Sequence, residues 1–309
     1  MPPILMPTDA STGNPYSQDD IKRRVEKCPK LASLQSINQA LNKLVRSEAS
    51  LTSQIAEIIQ RDPSLSERLL RMVNSVYFNL SAQVNNIEEA VFFLGIRQIR
   101  ELSMATPVIE DLGHLQAFAP APKAWKELWA HSICTAQLTR EILGSMPGSV
   151  DNDMNYMVGL LHNVGRLVMA YAFPKELMAI AGTEAATPEG VCEIERTLIG
   201  WDHTQIGAHF LEKHAMSDEI ICAVRHHHDP AQAPRHQIIA AAIQIADHAA
   251  RQAGFQPGFE TVAAAAPDAF HELEGWRILY ANDENDIQVA RAMIINLQRR
   301  LPDMLSGLL

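Results

Sequence analysis

Apolar residues recur at three-to-four-residue spacing along nearly the whole chain, and no segment alternates apolar and polar residues with period two. A chain patterned this way is restricted to an all-α architecture of packed helices, because each apolar stripe must meet another. Ile37, Leu41, Leu44 and Val45 mark one helix, and Leu51, Ile55, Ile58 and Ile59 mark the next. Asp62-Pro63 closes that segment, since proline disfavours helical backbone in the residue before it. Ser64 with Glu67 forms a capping box ahead of Leu69, Leu70 and Val73. Asn86 with Glu89 repeats the signal ahead of Ile87, Ala90, Val91 and Leu94. Gly95 is a C-terminal stop, and a further helix follows through Ile99 and Leu102.

Breakers divide this array into parts. Residues 1–18, with Pro2, Pro3, Pro7, Gly13 and Pro15, read as a flexible lead. The stretch from Gly113 to Lys123, with Pro120 and Pro122, separates an N-terminal helical subdomain (19–110) from a helical bundle (111–255). Gly144 to Asp153 is a loop inside that bundle. A breaker-rich stretch from Gly254 to Pro267 leads into a C-terminal helical extension (256–309) with a last pair of helices. There Ile287, Val289, Ala290, Met293, Ile294, Leu297 and Leu301 make an amphipathic helix ended near Pro302. Its apolar face must be buried, on the bundle or in a homodimer contact, and the bundle is the simpler expectation.

Charge narrows the partners. The formal net charge is −10, which repels phosphate backbones and anionic membranes, so neither nucleic acid nor membrane is expected as a partner. Leu94-Gly95-Ile96-Arg97-Gln98-Ile99-Arg100 therefore reads as a tight turn between core helices and not as a DNA reader. The chain has no apolar run of membrane-spanning length and no basic-then-apolar leader. Cys28, Cys134, Cys192 and Cys222 form no Cys-x-x-Cys pair. Buried thiols in a reducing, cytoplasmic compartment are expected.

Histidines and one aspartate stand out on apolar faces. His131 shares a stripe with positions 128, 135, 138 and 142. His162 sits in a helix that is apolar nearly all round, with Met157, Val158, Leu160, Leu161, Val164, Leu167 and Val168. Asp202 with Gln205 caps the helix that carries His203, which faces with Gly207 and Phe210. His227 and His228 end a helix that begins after Ser217 and stops before Pro230. Asp247 lies four residues after Ile243 and eight after Ile239, in a run of Ala and Ile. An ionised carboxylate on such a face needs a partner, and a cation is one. Imidazole and carboxylate donors on facing helices suit a divalent metal, iron first, with manganese, nickel or zinc as others. The competing expectation is a hydrogen-bonded polar cluster with no metal. Asn163 is expected to face the same cavity as a neutral group. Arg166, Lys123 and Lys126 are expected as solvated charges, with phosphate contact the less common role.

Gly159-Leu160-Leu161-His162-Asn163-Val164-Gly165 resembles the Gly-Leu-Leu-His-Asp-x-Gly core of the HD phosphohydrolases, with Asn163 where those enzymes carry a metal-bridging aspartate. From about Ile21 to about Gly254 the chain resembles the HDOD family of bacterial signalling proteins. The resemblance is carried by Ile58-Ile59-Gln60-Arg61-Asp62-Pro63-Ser64-Leu65, Arg71-Met72-Val73-Asn74-Ser75, Ile87 to Gly95, Gly159 to Gly165, His203-x-x-x-Gly207, Ala223 to Pro230 and Ile245-Ala246-Asp247. It implies an HD-like helical bundle with His131, His162 and Asp247 as the metal triad. It also implies His203, His227 and His228 as the additional histidines of binuclear HD-GYP relatives. The Gly-Tyr-Pro signature is missing after His228, where Asp229-Pro230-Ala231 stands. The resemblance thus implies a regulatory module, non-catalytic, acting through a signalling partner or a small ligand. The alternative is a metal-dependent phosphohydrolase acting on a nucleotide or cyclic dinucleotide.

Overall fold

The computed structural model describes residues 15–28, 60, 70, 84–92, 121–146, 153–214, 216–262, 272–280 and 284–305. The helices expected around Ile37 to Val73, the turn at Gly95 and the boundary at residue 110 lie outside the described residues.

Among the described residues there are eleven α-helices and two very short strands. Helix α1 (Gln18–Glu26) starts where the Ser17 side chain accepts from Asp20 N–H, with Asp19 and Asp20 in its first turn and Arg23 and Arg24 in its last. Those charges complement the helix dipole. Ile21 and Val25, one turn apart, are buried where α1 meets two bundle helices, α4 (Val164–Ala172) and α7 (His203–Lys213). The expected cap at Asn86 is present: its Oδ1 accepts from Glu89 N–H at 2.8 Å at the start of helical residues 87–92.

Helix α2 (Pro122–Gly144) begins on a proline, which is tolerated there because the first helical N–H has no partner in any case. Its stripe of Trp125, Leu128, His131, Thr135, Leu138 and Ile142 is wholly buried. Three elements cover it: α3 (Asp153–Leu161), α9 (Gln237–Gln252) and α11 (Glu284–Leu305). Helix α5 (Pro174–Ala181) leads to α6 (Pro188–Ile199), which is capped by the Thr187 hydroxyl and closed by Gly200 at φ 102°. The Asp202–Gln205 capping box starts α7 as expected. Helix α8 (Asp218–His226) leads through a 3₁₀ turn (Pro230–Gln232) to α9. Helix α10 (Glu274–Tyr280) packs on α9.

Three expectations need correction. The apolar stretch around His162 is not one helix: α3 ends at Leu161, His162 and Asn163 form a turn, and α4 restarts at Val164. The His162 ring bonds the Gly159 carbonyl at 2.6 Å, and Gly165 lies so close to α7 that a Cβ there would fall 1.8 Å from His203 O. The break swings α4 onto α7 at this glycine contact. Strands exist, although they are two residues each: β1 (Glu184–Ala185) pairs in parallel with β2 (Thr261–Val262). Such strands are too short for a period-two signal. Lastly, α11 runs through Pro302 to Leu305, because a proline that close to a helix end removes a single N–H.

The C-terminal helix docks on its own bundle. Ala290, Ile294 and Leu301 are buried, and Gln298 Nε2 donates to Ala249 O at 2.8 Å. Burying Ile294 and Leu301 contributes about 1.5–3 kcal/mol each. Val289, expected on that face, is 70% exposed and points away. Among the described residues no helix is long and apolar enough to cross a membrane. All four cysteines are buried and none is in a disulfide.

Candidate metal centre

The six candidate ligands come from five places in the chain and meet in one cluster. His131 lies midway along α2, and His162 occupies the turn between α3 and α4. His203 opens α7, His227 and His228 follow α8, and Asp247 lies in α9. All are buried except His228, which is half-buried.

His131, His162 and Asp247 form a tight triangle. His131 Nε2 is 2.8 Å and His162 Nε2 is 3.6 Å from Asp247 Oδ1, and the two ring nitrogens are 3.3 Å apart. Two of the tautomers are set from behind. His131 Nδ1–H donates to Phe255 O at 2.8 Å, and His162 Nδ1–H donates to Gly159 O. Both Nε2 atoms therefore present lone pairs toward Asp247 Oδ1, which itself has no hydrogen bond. Three acceptors converging on one point is an arrangement that a cation resolves. Ligands about 2.1 Å from an ion are separated by about 3.0 Å along an octahedral edge and about 3.4 Å along a tetrahedral one. The observed separations bracket these values. Two imidazoles and a carboxylate on one side also match the ligand set of ferrous sites with open positions. The residues present thus fit a divalent ion.

His203, His227 and His228 lie beside the triangle. The His227 ring is 5.2 Å from His162, 5.5 Å from His203 and 4.1 Å from His228. His227 Nδ1–H donates to Val224 O at 2.8 Å, leaving Nε2 buried without a partner. His203 Nδ1–H donates to Glu195 Oε2 at 2.7 Å, and its Nε2 faces His228 Nε2 at 3.2 Å. Cys192 completes a second donor group with His203 and His228, their ligand atoms all within 4.8 Å of one another. Nδ1–H bonds to carbonyls and carboxylates are the usual means of orienting imidazole toward a metal.

The cluster is electrostatically prepared for a cation. Burial holds His131 below the ordinary imidazole range and His203, His227 and His228 well below it. These rings are neutral at pH 7. Burial pushes the Asp247 carboxyl up, but the Arg251 guanidinium beside it holds the group well below the usual carboxylate range. Neutral imidazoles and an ionised carboxylate are the protonation states that metal ligands require.

Around the donors runs a ring of buried charge that sequence reasoning largely missed. Arg251 Nε donates to Asp247 Oδ2 at 2.9 Å, and its Nη1 pairs with Glu260. Glu260 also pairs with Arg166, whose Nη1 is 3.6 Å from Glu195. Two guanidiniums thus face three carboxylates, leaving one negative charge over when the imidazoles are neutral. Arg166, expected in solvent, is fully buried, whereas Lys123 and Lys126 are exposed. Arg251 was legible as the residue one turn after Asp247. Glu195 was legible on the stripe Cys192, Glu195, Ile199. Nothing in the sequence marked Glu260 or the Phe255 carbonyl.

Asn163 is buried and turned by Arg166. A guanidinium can only donate, so Arg166 Nε must meet Asn163 Oδ1, at 3.2 Å. The Asn163 NH₂ then donates to His162 Nε2 at 2.8 Å, a bond that a cation on the same lone pair would displace. A cavity of ≈ 300 Å³ opens beside the cluster, with Asp247, His228, Arg251, His248, Glu189 and Gln244 among its lining residues.

Comparison with known proteins agrees with this architecture. Solved structures with the same fold include an HDOD domain protein from Geobacter sulfurreducens, with a TM-score of 0.67, 20% identity, and coverage of 92% of this chain and 97% of that one. A proposed phosphohydrolase from Shewanella amazonensis SB2B gives a TM-score of 0.65 at 22% identity, covering 94% and 98%. A proposed signal transduction protein from Marinobacter aquaeolei VT8 gives 0.67 at 20%, covering 93% and 64%. A protein of Treponema pallidum (strain Nichols) is 27% identical over 187 residues, or 59% of this chain, and the match spans 34% of that relative's length. Residues 31–230 match the HDOD domain model, which takes in the His162–Asn163 turn, His203, His227 and His228, and the chain therefore belongs to the HDOD domain family.

Proposed function

We propose that the chain is a regulatory HDOD module that binds a divalent cation through His131, His162 and Asp247 and does not hydrolyse phosphoesters. Iron is the ion that the two-histidine, one-carboxylate set favours. In this reading the module acts in the cytoplasm on a signalling partner or a small ligand. The observation that carries it is the orientation of Asn163. Two-metal hydrolysis needs an anionic bridge between cations about 3.5–4 Å apart. At that position this chain presents a neutral amide, its oxygen taken by Arg166 and its N–H on His162 Nε2, a bond that yields when an ion binds there. A bound ion would supply Lewis acidity and an open coordination position. The chain's own groups orient the imidazoles from behind and exclude water from five of the six donors.

A second reading, a metal-dependent phosphohydrolase, draws support from the cavity that borders Asp247 and His228. One experiment separates the two. The protein loaded with iron(II) or manganese(II) is assayed against bis(p-nitrophenyl) phosphate, nucleoside phosphates and cyclic dinucleotides, with Asp247→Asn as the control. The regulatory reading predicts bound metal with no turnover above that control. Turnover that the substitution abolishes would establish the hydrolase.

A further inference from the structure

The segment between α9 and β2 holds the cluster from one side. Phe255 O accepts the Nδ1–H of His131, and Gln256 Nε2 donates to Arg251 O at 3.2 Å. Gly258 has φ 60° and lies hard against α2, where a Cβ would fall 2.1 Å from Ala124 O. Phe259 follows at φ 48°, an uncommon backbone for a bulky residue, with its ring edge-on to Trp125 at 4.9 Å. Two successive left-handed residues turn the chain and deliver Glu260 to the interior, its side chain 1% exposed.

There Glu260 bridges Arg166 and Arg251. These two guanidiniums act on different corners of the triangle. Arg166 sets Asn163, which touches His162, and Arg251 sets Asp247, which touches His131. Arg251 Nη2 has no hydrogen-bond partner, so this guanidinium is shared between two carboxylates with donor capacity to spare.

We infer that Glu260 is a positioning residue of the metal centre: it draws Arg251 partly off Asp247 and fixes Arg166, leaving Asp247 Oδ1 and His162 Nε2 at ligand spacing. The inference rests on the metal reading above. Without the Glu260 charge, Arg251 is drawn fully onto Asp247 and competes with a cation for that carboxylate. Arg166 is left with Glu195 and loses one of the two anchors that fix the Asn163 amide.

The test is a cobalt(II) titration of the 309-residue chain, by calorimetry and visible absorption, at a temperature well below unfolding. Glu260→Gln keeps the shape and removes the charge, and Glu260→Asp keeps the charge but sets it back. The wild type should bind cobalt(II). Glu260→Gln should bind it about 10–100-fold more weakly, the usual effect of losing an outer-shell partner, with altered d–d bands. Glu260→Asp should fall between the two. A residue with a merely structural role would lower thermal stability and leave the affinity and spectrum of the folded chain unchanged, which would overturn the inference. A wild-type chain that binds no cobalt(II) would overturn the metal reading, and this inference with it. Should Glu260→Gln fail to fold, Glu260→Asp decides alone, and an affinity equal to wild type would overturn the proposal.

Discussion

Replacing Arg251 by methionine tests the charge ring most severely. The side chain is 8% exposed, with Nε 2.9 Å from Asp247 and Nη1 against Glu260. Methionine fills much of the volume but supplies no donor. Breaking a buried ion pair by removing one partner costs about 3–5 kcal/mol, because the other charge is left uncompensated. Here Glu260 keeps Arg166, so the unrelieved charge is mainly on Asp247, and the loss should be near the lower end, about 3 kcal/mol at pH 7. The pH dependence supplies the second half of the test. In the wild type, Asp247 is held below its unfolded value, so its contribution is full above about pH 4 and is lost as pH falls through the folded value. In the variant, burial acts on Asp247 without Arg251, the carboxyl rises, and the folded form gains protons on acidification. The stability gap should therefore narrow as pH falls from 7 toward 5. The assay is urea unfolding of chelator-treated protein at both pH values. A gap below about 1 kcal/mol at pH 7, or one that is equal at both, would show that Arg251 does not compensate the buried Asp247 charge.

Other perturbations follow from the same contacts. Asn163→Asp replaces the amide N–H that faces His162 Nε2 by a carboxylate oxygen, so the metal-free protein should lose about 1–3 kcal/mol and cation binding should tighten; calorimetric titration that shows no gain in affinity would contradict this. Gly165→Ala places a Cβ 1.8 Å from His203 O, where only backbone movement of α4 against α7 can relieve it, and the melting temperature should fall steeply. Deleting residues 284–309 uncovers the surface on α2 and α9 that Ile294 and Leu301 bury, and the soluble yield should collapse; an equally soluble and stable truncation would count against the docked helix.

Much of the helical framework was legible because helices announce themselves locally. The Asp202–Gln205 cap and the 128–131–135–138–142 stripe both depend on spacing within one segment, and both stand in the structure. The anomaly of Asp247 among Ile and Ala was legible for the same reason, and it correctly pointed to buried partners. What could not be read depends on contacts between segments. The break at His162 follows from the approach of Gly165 to His203, a residue 38 positions away. Arg166 looked like a solvated charge because its partners, Glu195 and Glu260, lie on other elements. Glu260 sits in a stretch rich in Gly and Pro, where no periodicity assigns a direction to any side chain. Its inward course depends on left-handed backbone at Gly258 and Phe259.

A divalent cation held by His131, His162 and Asp247 is what the proposed function requires. Elemental analysis of freshly purified, chelator-free protein, alongside Asp247→Asn, tests it most directly. The wild type should carry about one equivalent of a transition metal per chain, iron foremost, and the variant almost none, with helical content unchanged in both. A metal-free wild type that also fails to take up added iron(II) or manganese(II), or a variant that retains its metal in full, would contradict it.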